Sequence, residues 1–238
     1  MLEEFKQRVC LGNRDLETHR LVIFTWGNLS AIDPESRLVA IKPSGVSFQA
    51  LKPEDIVLLN LEGKVVEGEK RPSSDTPSHL EIYRSFPEIR AIVHTHSTHA
   101  TAFAQAMRSL ECFGTTHADH FFGSVPVTRK LSEQEIVKGY EANTGKVVVE
   151  CLKEKGINPL EIPACLVASH GPFIFGPSPE KAVENAVVLE QVAGLNLETL
   201  KLEPGTKPID PALLNKHFLR KHGKNAYYGQ LNGQSPIH

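Results

Sequence analysis

The sequence lacks the features by which several large classes of protein are recognised. Its four cysteines lie far apart and form no CxxC pair, so neither a zinc ribbon nor a dithiol redox motif is present. No apolar run approaches the roughly 18 residues that a membrane span needs, and the first residues are too charged for a signal peptide. These absences predict a cytoplasmic protein with reduced, mostly buried thiols and no membrane partner.

The sequence also has little net charge and no nucleotide-binding motif. Its 26 basic and 28 acidic residues leave a formal charge of -2, and no basic stripe runs through it, so a nucleic-acid partner is not expected. Neither a Walker loop nor a dinucleotide fingerprint occurs, which gives no support to ATP or NAD. A chain of 238 residues can bury enough apolar surface to fold without a structural metal, so a bound metal would serve chemistry.

Helical and strand patterns alternate along the whole chain, which predicts an α/β or α+β fold. We expect helices over 2–11, from Thr76, over 99–107, over 136–155 and from Ser178 onward. Strands are expected over 20–30, 37–42, 56–60, 65–66, 89–96 and 164–169, with a turn at Glu62-Gly63. No repeat or linker divides the chain, so we predict one domain over 1–230 and a disordered tail over 231–238.

Two segments place histidines at the ends of apolar strands. His94 and His96 stand two apart in Ala-Ile-Val-His-Thr-His, and alternation along a strand would point both imidazoles to one face. His170 ends a second apolar segment, where Gly171 and Pro172 are expected to turn the chain away. Each histidine could instead be a hydrogen-bonded group at a strand end, but a pair on one face favours metal ligation.

Two carboxylates and a tyrosine are candidates for chemistry. Asp75 lies in a constrained loop before a helix, where an ordinary capping role is the alternative. With three histidines it would make a donor set that suits zinc, or manganese or another divalent ion. Asp119 is the carboxylate of the polar stretch 114–123, which has no clear period and is interpreted as a functional loop; it could instead order that loop. Tyr228 could be a docking aromatic.

Three short turns could bind an anion through backbone amides and hydroxyl groups. They are Trp26-Gly27-Asn28, Lys42-Pro43-Ser44-Gly45 and Pro72-Ser73-Ser74. Each alone is an ordinary turn, and the charge of Lys42 would suit a phosphate although most lysines are simply solvated.

Seven segments occur in the order found in a known family: TWGN, IKPSG, PSSDTP, HTHSTHA, GTTHAD, SHGPF and KHGKNAYYGQ. Over residues 1–230 the chain resembles the L-ribulose-5-phosphate 4-epimerases of the class II aldolase family. The resemblance implies a three-layer α/β/α domain with a central, mainly antiparallel sheet. It also implies a homotetramer with active sites between neighbouring subunits.

The resemblance assigns roles to matching residues. It implies that a divalent metal, Zn²⁺ or alternatively Mn²⁺, is held by Asp75, His94, His96 and His170. It implies substrate and phosphate contacts at Gly27, Asn28, Ser44, Gly45, Ser73 and Ser74, to which we add Lys42 because of its charge. The acid-base pair would be Asp119 and Tyr228, supplied from the adjacent subunit.

The implied reaction interconverts L-ribulose 5-phosphate and D-xylulose 5-phosphate by retro-aldol and aldol steps. The carbon to be inverted carries no acidic hydrogen, so cleavage into a dihydroxyacetone enolate and glycolaldehyde phosphate replaces simple proton abstraction. Three alternatives stay open: an aldolase of the L-fuculose-phosphate type, an L-xylulose-5-phosphate epimerase, and a non-catalytic module like that of adducins. Related aldolases place a glutamate where this chain has Asp75, and an adducin-like module would be expected to have lost its ligands.

Overall fold

The structure is a computed structural model that describes residues 2–229; the predicted tail, 231–238, lies outside them. The helices are α1 (Leu2–Thr18), α2 (Thr76–Ser85), α3 (Thr98–Gln105), α4 (Thr115–Ala118), α5 (Glu133–Val137), α6 (Tyr140–Glu154), α7 (Pro179–Leu202) and α8 (Pro211–His222). The strands are β1 (Asn28–Ile32), β2 (Val39–Ile41), β3 (Val57–Leu59), β4 (Val65–Glu67), β5 (Ala91–His94), β6 (Ala164–Val167) and β7 (Gly171–Gly176).

Within the described residues the strands form one sheet of seven, in the order β4-β3-β2-β1-β5-β7-β6. Every neighbouring pair in this sheet is antiparallel. The centre of the sheet, β1-β5-β7, brings together segments that are far apart in the sequence. Asn28 of β1 and Phe173 of β7 both pair with His94 of β5.

Helices cover both faces of the sheet. One apolar cluster joins α1, α3 and α7 to alternate strand residues such as Leu29 and Val93, and a second joins α2 and α6 to the intervening residues such as Ile92 and Phe175. Because strand side chains alternate between faces, the continuous apolar strands are buried on both sides. The mixed α/β class and the predicted three-layer arrangement with an antiparallel sheet are confirmed.

Several predicted boundaries were wrong. Residues 20–27 form turns and irregular backbone, so only the end of the strand predicted over 20–30 exists, and Arg20 and Phe24 lie in the left-handed region. The helix expected over 136–155 is interrupted at Gly139, whose φ of 113° does not fit a helix, so α5 and α6 are separate. The supposed loop 114–123 contains the short helix α4.

The chain also turns earlier than predicted after β6. The turn occupies residues 168–170, and Gly171 and Pro172 begin β7 instead of leading the chain away. Gly171 is needed for close approach, since a Cβ there would lie 2.7 Å from the carbonyl oxygen of Thr95. Among the described residues, no helix has both the length and the apolar character required to cross a membrane.

Candidate active site

The three predicted histidine ligands meet at one end of the sheet. His94 ends β5, His96 follows it in the segment leading to α3, and His170 lies in the turn between β6 and β7. The β5–β7 pairing brings this turn beside the end of β5. One ligand atom from each histidine lies within 4.8 Å of the others. His96 lies beyond the strand, so strand alternation alone does not explain this convergence.

Hydrogen bonds fix how two of these rings present their nitrogens. The carbonyl oxygen of Pro172 can only accept, so Nδ1 of His94, 3.0 Å away, carries the proton and leaves a lone pair on Nε2. Nε2 of His96 lies 3.2 Å from Nε2 of His94. The two nitrogens can lie this close if His96 donates a proton to His94 or if both nitrogens bind one cation. In metal sites a backbone carbonyl commonly orients a ligand ring, as Pro172 orients His94 here.

The imidazoles of the cluster are neutral at physiological pH. Burial lowers the pKa of His94 and of His96, and Asp75 only partly offsets this. Burial, followed by repulsion from His94 and His96, lowers the pKa of His170 to about 3. Three neutral imidazoles offer lone pairs, so the donor set fits a divalent cation of the zinc type.

Asp75 lies beside the three histidines but is not one of the cluster's close-approaching ligands. Its Oδ2 accepts a hydrogen bond of 2.6 Å from Nδ2 of Asn28. Burial raises the pKa of Asp75, but His94, His79 and this hydrogen bond outweigh burial, so the net pKa is lowered. The carboxylate is therefore ionised and electrostatically coupled to the cluster, and direct ligation stays a prediction.

The three predicted anion-binding turns converge beside this centre. Pro43 and Pro72 form an isolated β-bridge. The amide of Ser44 donates to the carbonyl oxygen of Arg71, and the amide of Ser73 donates to the carbonyl oxygen of Lys42. Nδ2 of Asn28 also reaches Oγ of Ser73 at 3.0 Å. Turns that are separated in the sequence thus form one polar surface next to Asp75.

Lys42 is almost completely buried within this polar surface. Its ammonium lies over the ring of Phe48, 4.7 Å from the centroid. Burial lowers the pKa of Lys42 to about 8, with Asp75 acting in the opposite direction. Because Asp75 only partly offsets the effect of burial on the Lys42 ammonium, a bound anion would stabilise the charged form of this side chain.

A buried hydrogen-bonded string below the site was not predicted. Oγ of Ser30 lies 2.7 Å from Nδ1 of His79 and 2.8 Å from the hydroxyl of Tyr83. His79 is completely buried, and its Nε2 has no hydrogen-bond partner among the described residues. The available signal was its spacing, since His79 follows Asp75 by four residues and so lies on the same side of the helix.

Tyr140 is a second group that local patterns did not identify. Its hydroxyl lies 3.2 Å from Nδ1 of His170, which leaves Nε2 of that ring for another partner. The two residues are thirty positions apart, and only the packing of α6 beside β6 brings them together.

Asp119 and Tyr228 lie on a different group of elements, α4 and the segment around α8, and both contact Arg220. Oδ2 of Asp119 accepts from Arg220 at 2.8 Å and Oδ1 from His217 at 3.0 Å. Burial raises the pKa of Asp119, but Arg220 and His217 outweigh it, so the net pKa is lowered. Arg220 also stacks on the ring of Tyr228. In the described part of the chain, the carboxylate that acts on the pKa of the three clustered histidines is Asp75, not Asp119.

Comparison with known proteins agrees with this geometry. The model of the class II aldolase and adducin N-terminal domain family matches residues 7–197. The chain is 53% identical over 229 residues to the L-ribulose-5-phosphate 4-epimerase UlaF of Salmonella paratyphi A, covering 96% of this chain and 100% of that protein. The corresponding protein of Salmonella typhi has the same identity and coverage.

Solved structures give the same result. An L-fuculose 1-phosphate aldolase superposes with a TM-score of 0.76 at 28% identity, covering 90% of this chain and 94% of the other. The L-fuculose 1-phosphate aldolase of Glaciozyma antarctica PI12 gives a TM-score of 0.73 at 22% identity, over 91% and 80% of the two chains, which shows the fold alone. Since the family model matches most of the chain and the curated relatives align along nearly all of it, the chain belongs to the class II aldolase and adducin N-terminal domain family.

Proposed function

We propose that the protein is a divalent-metal-dependent L-ribulose-5-phosphate 4-epimerase that uses retro-aldol and aldol chemistry. The observation that carries the proposal is the convergence of three neutral imidazoles next to a polar surface built from three turns. Relatives that are 53% identical over nearly the whole chain carry the name of this activity. The histidine cluster and the activity named for these relatives together support an epimerase over the non-catalytic alternative.

His94, His96 and His170 would hold the cation, with Asp75 as the fourth ligand. Three nitrogen donors and one carboxylate suit Zn²⁺, and Mn²⁺ is the alternative. A divalent cation bound there supplies Lewis-acid chemistry to a carbonyl-containing substrate. The hydrogen bond from Asn28 orients the Asp75 carboxylate, and together with His94 and His79 it lowers the pKa of that carboxyl.

The three turns would hold the phosphate. Lys42 supplies a charge, and backbone amides and hydroxyl groups supply directed donors. The contacts we propose are Gly27, Asn28, Lys42, Ser44, Gly45, Ser73 and Ser74. Holding the phosphate keeps the aldehyde fragment bound while it rotates, so it can be attacked on its other face.

Asp119 and Tyr228 would move the hydroxyl proton. One takes it from the alcohol of one epimer as the bond between carbons 3 and 4 breaks, with the bonding electrons remaining on the carbon-3 fragment. After the aldehyde rotates and the bond re-forms, the other returns a proton on the opposite face. The lowered pKa keeps the Asp119 carboxylate ionised, so it is able to accept a proton, and a tyrosine hydroxyl suits the acid.

The two groups would act on the histidine site of a neighbouring copy. Asp119 is held by α8 of its own chain, on elements separate from those that carry the histidines. A homotetramer with shared sites would bring both sets together. This assembly is part of the proposal.

A direct comparison of substrates tests the function. Zinc-loaded protein would be assayed with L-ribulose 5-phosphate, L-xylulose 5-phosphate and L-fuculose 1-phosphate, before and after removal of metal with a chelator. We expect the highest kcat/KM with L-ribulose 5-phosphate, loss of activity on chelation and recovery with zinc. A preference for L-fuculose 1-phosphate would instead favour an aldolase, the activity named for the structural neighbour.

A further inference from the structure

Arg220 contacts the candidate base through its side chain. Its Nε and one terminal nitrogen donate to the two carboxylate oxygens of Asp119 at 3.1 and 2.8 Å. Such a two-point contact fixes both the distance and the plane of the carboxylate, which a single charge does not. The contact joins residues that are 101 positions apart, so it also fastens α8 to the end of α4.

The same residue holds the candidate acid in two ways. The guanidinium lies over the ring of Tyr228, with its central carbon 4.1 Å from the ring centroid. The carbonyl oxygen of Arg220 accepts hydrogen bonds from the amides of Tyr227 and Tyr228 at 2.9 and 3.1 Å. Side chain and main chain of one arginine therefore fix the position of the tyrosine that follows α8.

We propose that Arg220 is a positioning residue that holds Asp119 and Tyr228 as one rigid acid-base unit. The inference rests on the proposed function, because it assumes that these two groups move the proton. A planar guanidinium can donate two parallel hydrogen bonds at its edge while its face stacks on a ring. A lysine retains the charge but cannot make both contacts, so it should not replace the arginine.

Other groups around Asp119 cannot substitute for this arrangement. His217 donates to Oδ1 of the carboxylate, and Nε2 of His222 donates to the main-chain oxygen of Asp119. The remaining charged or titratable neighbours are Lys221 on α8, His117 and His120 on or beside α4, and Lys181 and Glu184 on α7. Of the neighbours that touch the Asp119 carboxylate in the described chain, Arg220 is the one that also stacks on Tyr228.

The main test compares Arg220→Met and Arg220→Lys with the wild type in the L-ribulose 5-phosphate assay. We expect kcat to fall about 100-fold in both variants while KM changes less than about threefold, since the arginine acts on groups that transfer the proton. Asp119→Asn should lower kcat by a smaller factor in the Arg220→Met background than in the wild type, because the two residues act as a unit. Additive losses would contradict the proposal.

Arg8→Met is the matched control. Arg8 also donates twice to one carboxylate, that of Glu180, at 2.9 Å for both contacts, but on the surface between α1 and α7. It should retain wild-type kcat. Two results would show that Arg220 has no positioning role. One is a loss of activity in Arg220→Met and Arg220→Lys that only follows a lowered melting temperature, and the other is an unchanged kcat in Arg220→Met.

A substrate-free measurement separates this inference from the function. The Asp119 carboxyl can be titrated by NMR in protein labelled with ¹³C-aspartate. In Arg220→Met its pKa should rise toward the ordinary value, and in Arg220→Lys it should rise less. If the wild-type protein were inactive but the two variants showed these pKa changes, the proposed function would be wrong and the positioning role of Arg220 would stand. An unchanged pKa of Asp119 in Arg220→Met would overturn the positioning role itself.

Discussion

At the scale of single residues, substitutions inside and outside the histidine cluster test which histidines bind the metal. We predict that His96→Asn weakens zinc binding by more than about 100-fold and abolishes turnover, because it removes a lone pair that faces His94. Zinc binding would be measured by competition with a chromophoric chelator. His19→Asn, at an exposed position, is the control and should bind zinc normally. Retained activity in metal-free His96→Asn would contradict the assignment.

Tyr228→Phe tests proton transfer without disturbing the ligands. We expect unchanged zinc content and a fall in kcat of about 10²- to 10⁴-fold, because the ring still stacks on Arg220 but the hydroxyl is gone. The neighbouring Tyr227→Phe is the matched control and should stay close to wild type. Unimpaired turnover in Tyr228→Phe would remove this residue from the mechanism.

Local motifs in the sequence pointed to the histidines and turns that the structure brings together. His94 and His96 are two apart, and each turn predicted to bind an anion is a short segment with small or polar residues. Their mutual positions could not be derived in this way, because the pairing of β5 with β7 joins segments almost eighty residues apart. The contact between Tyr140 and His170 has the same cause and left no local signal.

At the scale of elements, Gly27 lets the turn Trp26-Gly27-Asn28 pack closely against the end of β5, where His94 lies. Its φ is +85°, and a Cβ would lie 2.7 Å from the carbonyl oxygen of His94. We predict that Gly27→Ala displaces the end of β5, so zinc affinity and melting temperature both fall. Gly156→Ala is the control, since its φ is +63° but nothing lies within 4 Å of the added Cβ. It should lose stability from backbone strain alone, about 1 kcal/mol, and bind zinc as the wild type does.

The start of α7 was predicted correctly from its cap. Ser178 accepts a hydrogen bond from the amide of Lys181 and Pro179 occupies the first turn, so α7 begins where the sequence indicated. The errors lie where tertiary contacts override propensity. Residues 20–27 are rich in strand-forming side chains, yet they turn, and Phe24 and Trp26 remain exposed.

At the scale of the whole molecule, buried histidines set the response to acid. Burial is the largest cause that lowers the pKa of His79 and His170 to about 3 and of His117 and His120 to about 4. Below pH 6.5 the unfolded chain therefore binds protons that the folded chain does not. Folding stability rises with pH in this window, and the metal-free protein should lose stability between pH 7 and pH 5.

Thermal unfolding at these two pH values measures the effect. For His79 alone the loss at pH 5 should be about 2 kcal/mol. The difference between pH 7 and pH 5 should therefore be smaller in His79→Gln than in the wild type, and unchanged in the exposed control His19→Gln. Equal differences in all three proteins would show that His79 does not resist protonation.

The proposed sharing of active sites between subunits predicts complementation between inactive variants. Asp119→Asn and His96→Asn should each be inactive as pure proteins. Co-expressed in equal amounts, they should form mixed tetramers with about a quarter of wild-type activity, because one site in four would receive intact groups from both neighbours. A mixture that stays inactive would place both groups in one chain.

The most direct measurement follows zinc-loaded protein and L-ribulose 5-phosphate by ³¹P NMR. We expect the D-xylulose 5-phosphate resonance to grow to equilibrium while free glycolaldehyde phosphate does not accumulate. Accumulation of that aldehyde, or an unchanged spectrum with metal bound, would contradict this expectation.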